Sequence, residues 1–155
     1  MSDHSTDPQI VILGPADAAV LRETVPMDAL GEFFNRAFHA TMAAAQAQGV
    51  PVVGPPFGMY FGMPSDTVDV AAGFPTASPV TERDGVTAVE LPGGQAAQVL
   101  HVGSYDDLEK TYGRLMAWLG QQGLEPGPRM CESYLNEPDP DHPESAETLV
   151  TWPLA

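Results

Sequence analysis

Glu132 is the residue in this chain best placed to do chemistry: it interrupts an otherwise strand-like, largely apolar run from Arg129 to Leu135. A carboxylate facing the interior at such a position must be paired, hydrated in a pocket or protonated. Period-two alternation puts Met130, Glu132 and Tyr134 on one strand face, and the matching stretch earlier in the chain adds Gly58 and Tyr60. The resulting acidic floor walled by phenols suits a hydrophobic ligand that is cationic or a polarised aromatic, held by charge pairing and ring-face attraction. The same carboxylate could serve as a general acid or base, with Tyr60 and Tyr134 positioning a substrate. Phe74 and Trp152, each followed by a proline, offer flat surfaces that could wall the cleft or pack in the core. If the acid is unpaired, exchanging it for glutamine removes function while leaving stability unchanged or raised.

Other reactive residue types point to less. Cys131 alternates to the strand face opposite Glu132 and reads as a small buried hydrophobe. As the single cysteine it excludes an intramolecular disulfide and a multi-cysteine zinc site, and no two of His4, His39, His101 and His142 have metal-ligand spacing. No metal and no cofactor are expected. The string LPGG at Leu91 to Gly94 lacks the lysine and hydroxyl of a phosphate loop and reads as a hairpin turn. Six Lys and Arg stand against 21 Asp and Glu, a net charge of −15 that repels a nucleic-acid backbone. Apolar runs are far shorter than the roughly 20 residues of a membrane span. The first nine residues carry no secretory signal, so a disordered tail over 1–9, a single domain over 10–155 and a cytoplasmic location are expected.

The elements that must position Glu132 fall into two similar halves, punctuated by clusters of the 16 prolines and 15 glycines. In the first half, extended stretches at Ile10 to Leu13 and Ala18 to Thr24 precede a helix from Asp28 to about Gln48. Leu30, Phe34, Ala37, Phe38 and Thr41 form its apolar stripe and Gly49 its left-handed cap. Strands at Phe57 to Gly62 and Val68 to Phe74 follow. The second half has strands at Val86 to Leu91 and Gln95 to Val102, then a helix from Asp106 to about Gln122. Ser104 and Asp107 stand in capping-box-like positions, and Leu108, Thr111, Tyr112, Leu115 and Leu119 form the stripe, with Tyr112 and Trp118 read as core. Strands at Arg129 to Leu135 and Thr148 to Trp152 complete it. Between them NEPDPDHPESAE (Asn136 to Glu147) reads as a solvated hairpin loop. The halves align string by string: Val20, Leu21 with Val99, Leu100; Gly49 with Gly123; Gly54, Pro55 with Gly127, Pro128; Gly58 to Tyr60 with Glu132 to Tyr134; and Phe74 with Trp152. A repeat of roughly 70 residues is too long for a solenoid and predicts a duplicated α+β domain.

The strings VGPPFGMYFG, DVAAGFP, LPGGQAAQVLHVGSYDDLEKTYGRLMAWL, ESYLNEP and TLVTWPL together resemble the GyrI-like small-molecule-binding domain. The resemblance implies two βαββ units in one curved antiparallel sheet, both helices on one face and a ligand cleft on the other. It gives Glu132 the role of the buried cleft acid, and it draws His101 and Tyr105, from the string HVGSYD, into the fold or the site. Regulators of this family carry a helix-turn-helix ahead of the module, for which fewer than ten residues leave no room; the stand-alone branch, which includes cyclopropanoid hydrolases, is the expected relative. Three functions share the scaffold. They are sequestration of a drug or natural-product toxin, hydrolysis of a DNA-alkylating cyclopropanoid, and interaction with a topoisomerase or regulator, and fold alone does not choose among them.

Overall fold

The computed structural model describes residues 7–62, 65–91, 93–104, 107–136 and 141–154. The first six residues of the expected tail, Pro92 of the LPGG string and Tyr105 lie outside the described residues. In chain order the elements are β1 (Gln9–Leu13), β2 (Ala16–Pro26), a 3₁₀ turn (Met27–Ala29), α1 (Leu30–Ala47), β3 (Phe57–Phe61), β4 (Thr67–Thr76), β5 (Thr87–Leu91), β6 (Gly94–Val102), α2 (Leu108–Gln122), β7 (Arg129–Tyr134) and β8 (Glu147–Pro153). The class is α+β, duplicated and antiparallel, as the alternation of helical and strand periods predicts. The chain divides into two compact units, Gly14–Gly93 and the segment up to Leu13 together with Gly94 onward.

Each unit is a βαββ motif with one borrowed strand at its edge. In the first, the order is β3-β4-β2-β5; in the second, it is β7-β8-β6-β1. β5 pairs with β2 and β1 with β6, so the LPGG string does not close a β5–β6 hairpin as expected. A glycine string tells where a strand must end, not which strand it pairs with. Here the edges of the eleven-residue β2 and the nine-residue β6 take β5 and β1. β7 and β8 do form an antiparallel pair, the reading given to the acidic segment between them.

The helices bury the faces their periods predict. On α2, Thr111, Leu115 and Leu119 are buried and Leu108 and Tyr112 pack half-buried against the cluster of Ala97, Val99 and Val150. Gly123 ends it at φ 68°, a left-handed cap that glycine adopts without a Cβ penalty. Among the described residues Ser104 makes no side-chain cap: Asp107 is the N-cap at φ −91°, ψ −4°, outside the extended region that lets a cap side chain turn back, and Ser104 contributes its carbonyl instead. On α1 the fully buried row is Phe33, Ala37, Thr41, Ala44 and Ala45. Phe34 and Phe38, expected in the stripe, lie at its half-buried margin, where their rings stack at 5.7 Å.

Register tests the internal repeat residue by residue. Gly58 pairs with Ala72 as Glu132 pairs with Val150, and Tyr60 pairs with Val70 as Tyr134 pairs with Thr148. Phe74 and Trp152 each lie two residues beyond those partners, so the three site equivalences hold. The VL strings are one residue out: Leu21, opposite Ala72, corresponds to Val99, opposite Val150. A slip of one position puts Val20 on the other sheet face, which identity of letters cannot detect. The Gly-Pro strings are also one out, since Val53 and Gly127 both donate to the carbonyl of the terminal proline, Pro75 or Pro153.

Close backbone approach makes one glycine indispensable. A Cβ on Gly73 would sit 1.8 Å from the carbonyl oxygen of Ala19 on the paired strand. Gly73→Ala is therefore expected to cost on the order of 3 kcal/mol through overpacking. Thermal unfolding should show Tm lower by about 6–12 °C; an unchanged Tm would refute the tight β2–β4 approach.

Candidate functional site

β7 delivers the acid and α2 covers it. Alternation from the Glu132–Val150 pair places Met130, Glu132 and Tyr134 on the same face as Val99 and Val150, the face against which α2 packs Leu115 and Leu119. The acid thus sits beneath a helix, whereas the resemblance implies a cleft on the face away from the helices. Glu132 is 6% exposed. The Tyr134 hydroxyl donates to its Oε1 at 2.8 Å, and the Tyr112 hydroxyl donates to its Oε2. Met130 Sδ lies 3.3 Å from the Tyr112 oxygen as a second, weaker acceptor. Each carboxylate oxygen of Glu132 thus has its own phenol partner.

Tyr112 is the residue that sequence reasoning misplaced. It is on the stripe of α2 as expected, yet its phenol reaches across to β7. The available signal was its polar tip, because a buried tyrosine hydroxyl usually finds a partner. Trp152 stands beside it, ring centroids 6.5 Å apart and planes at 90°, and is held in place by donation from Nε1–H to the Gly127 carbonyl at 2.8 Å. Glu132, Tyr134, Tyr112, Met130 and Trp152 therefore form one cluster inside one unit. Tyr112, Tyr134, Met130 and Trp152 around it are each half-buried.

The other expected site residues have these surroundings within their own units. Tyr60 packs within the Gly14–Gly93 unit against the cluster that holds Val25, Phe33 and Val70. Phe74 meets Phe38 edge-on at 5.8 Å in that same unit. His101 is 3% exposed on β6, with Nδ1 2.6 Å from the Thr111 hydroxyl and Nε2 2.9 Å from the Ser104 carbonyl. Among the described residues no group of three His, Cys, Asp or Glu could hold a metal ion, and no helix is long and apolar enough to cross a membrane.

The framework is a duplicated βαββ arrangement, and the family model for the GyrI-like small molecule binding domain matches residues 6–155. The chain belongs to that family. Among solved structures it is similar to EcmrR in a cryo-EM complex with DNA, at 17% identity and a TM-score of 0.81, covering 97% of this chain and 57% of that one. The chain thus spans little more than half the length of that protein. It is also similar to a hydrolase from Listeria innocua (16% identity, TM-score 0.68, covering 96% of this chain and 92% of that one). A third is SAV2435 bound to tetraphenylphosphonium (10% identity, TM-score 0.64, covering 97% and 94%). At these identities the likeness is one of fold. No curated protein matches the chain.

Cys131 faces away from Glu132, and burial pushes its thiol up from 9.0 to about 11, opposed by the nearby charge of Arg129. The unfolded chain therefore loses this proton first as pH rises. The stability contributed by the neutral buried thiol is complete below about pH 9 and is lost progressively toward pH 11. Chemical denaturation across this range should show a fall of roughly 2–3 kcal/mol that Cys131→Ala lacks. An identical pH dependence in both proteins would contradict the assignment.

Proposed function

We propose that the chain binds small lipophilic cations and electrophiles at Glu132. The observation that carries this reading is the carboxylate itself: 6% exposed, with both oxygens held by phenols on different elements and an indole alongside. A cation that displaces a phenol gains a full charge partner in a poorly hydrated site, and the rings supply faces for its aryl groups. The net charge of −15 raises the local concentration of such ligands. The tetraphenylphosphonium complex of a protein of the same fold supports this ligand class.

Calorimetric titration with tetraphenylphosphonium tests the proposal. Glu132→Gln is expected to lose 2–5 kcal/mol of affinity, about 30-fold or more, because the pair is desolvated. Since Glu132 is hydrogen-bonded and not an unpaired acid, the amide leaves one phenol without its charged acceptor, and a stability loss of about 1 kcal/mol replaces the neutral outcome expected from the sequence alone. Equal affinity of the two proteins would sink the reading.

The likeness to a hydrolase favours a second reading, in which the substrate is a strained cyclopropanoid. There Glu132 removes a proton from the water that attacks the ring carbon, while the Tyr112 or Tyr134 hydroxyl protonates the departing carbon or its conjugated oxygen. Incubation with a cyclopropanoid natural product should then give a product heavier by one water, and Glu132→Gln should slow its formation by about 10²–10⁴. Binding without any mass change confines the protein to the first reading.

A further inference from the structure

Thr148, on β8, has no solvent exposure, and its Oγ1 has no hydrogen-bond partner among the described residues. Register places it directly between Tyr134 of β7 and His101 of β6, on the face that α2 covers. Cross-strand neighbours of this kind stand about 5 Å apart at Cβ. Both are already committed. A carbonyl can only accept, so His101 Nε2 carries the hydrogen that it donates to Ser104, and Nδ1 is engaged with the Thr111 hydroxyl. The Tyr134 hydroxyl donates to Glu132. The polar groups flanking the orphan hydroxyl are thus engaged elsewhere among the described residues, which leaves it open to a partner that a ligand brings.

We propose that Thr148 is a specificity-determining residue of the Glu132 site, and that it hydrogen-bonds a hydroxyl, amine or amide carried by the bound cation. The inference rests on the binding role given to Glu132. A cation paired with the carboxylate takes over the place of the Tyr134 hydroxyl, which frees that half-buried ring to turn and uncovers the hydroxyl beside it. An unsatisfied buried hydroxyl is unfavourable in the empty protein, and a ligand that pairs with it relieves that cost, whereas a purely apolar cation does not. The preferred ligands are therefore lipophilic cations with one hydrogen-bonding substituent on or beside an aromatic ring.

A matched ligand set tests this. Tetraphenylphosphonium is compared with its ortho-, meta- and para-hydroxyphenyl analogues, titrated into wild type, Thr148→Val, Thr148→Ser and Glu132→Gln. At least one hydroxylated isomer is expected to bind wild type about 3–10-fold more tightly than the parent cation, an advantage that Thr148→Ser keeps and Thr148→Val loses. The parent should bind Thr148→Val as well as wild type, and the Tm of that variant should be unchanged or higher by about 2–4 °C, since no bond is lost from the empty protein. The inference is overturned if no isomer gains affinity in wild type, if the gain survives in Thr148→Val, or if that variant unfolds more than about 4 °C lower. Loss of all ligands by Glu132→Gln alongside any of these outcomes leaves the Glu132 reading intact. Unaltered tetraphenylphosphonium binding by Glu132→Gln overturns that reading and this inference together.

Discussion

A carboxylate with 6% of its surface exposed must find its hydrogen bonds inside the protein, and Glu132 finds them on two separate elements. Tyr134 is its neighbour on β7, placed by strand alternation alone. Tyr112 comes from α2, so the bond exists only if the helix lies at one height and rotation over the sheet. Thr111, the adjacent residue, meets His101 on β6, and the two helix residues thereby anchor α2 to strands on either side of β8. Gly103 belongs to the same constraint. At φ 149° it turns the chain out of β6 in a backbone conformation that L side chains rarely adopt. Leu115 and Leu119 pack the helix onto the apolar sheet face, while the polar contacts fix where it sits along that face.

Duplication makes the chemical specialisation of the second unit visible. Phe38 and Phe74 form the edge-on ring pair in one unit that Tyr112 and Trp152 form in the other, and Gly58 occupies the register position of Glu132. The same βαββ backbone therefore carries an apolar version and an acidic version of one arrangement. Converting the first into the second takes an acid on the central strand position and a hydroxyl on the helix ring above it. Neither change disturbs the alternation or the helical stripe, which is why one fold accommodates both.

The charge balance acts at longer range. Several of the six basic residues are engaged locally at the surface, as in the Arg22–Asp69 fork and the Arg36–Glu23 pair, and exposed pairs of this kind contribute little to stability. The acids in excess leave a negative field that draws cations toward the molecule and weakens as salt is added. Under the proposed function, selection among those cations falls to the buried cluster, where water is scarce and each hydrogen bond counts for more.

Local periodicity was enough to read both helices, their glycine caps at Gly49 and Gly123, the eight strands to within a residue or two, and the shared face of Glu132 and Tyr134. These features depend on residues a few positions apart, whose geometry is set by the 3.6 and 2.0 periods of the backbone. Pairing between distant strands was not legible: β5 leaves the LPGG turn for β2, and the VL strings slip by one residue, because backbone hydrogen bonds carry no side-chain label. The site was half legible for the same reason. Glu132 and Tyr134 are two residues apart, but Tyr112 lies twenty residues away from Glu132 on a helix, and Thr148 becomes an orphan only once His101 and Tyr134 have taken other partners. Which donors meet which acceptors is decided by the docking of α2 on its sheet, and that docking is a property of the folded chain.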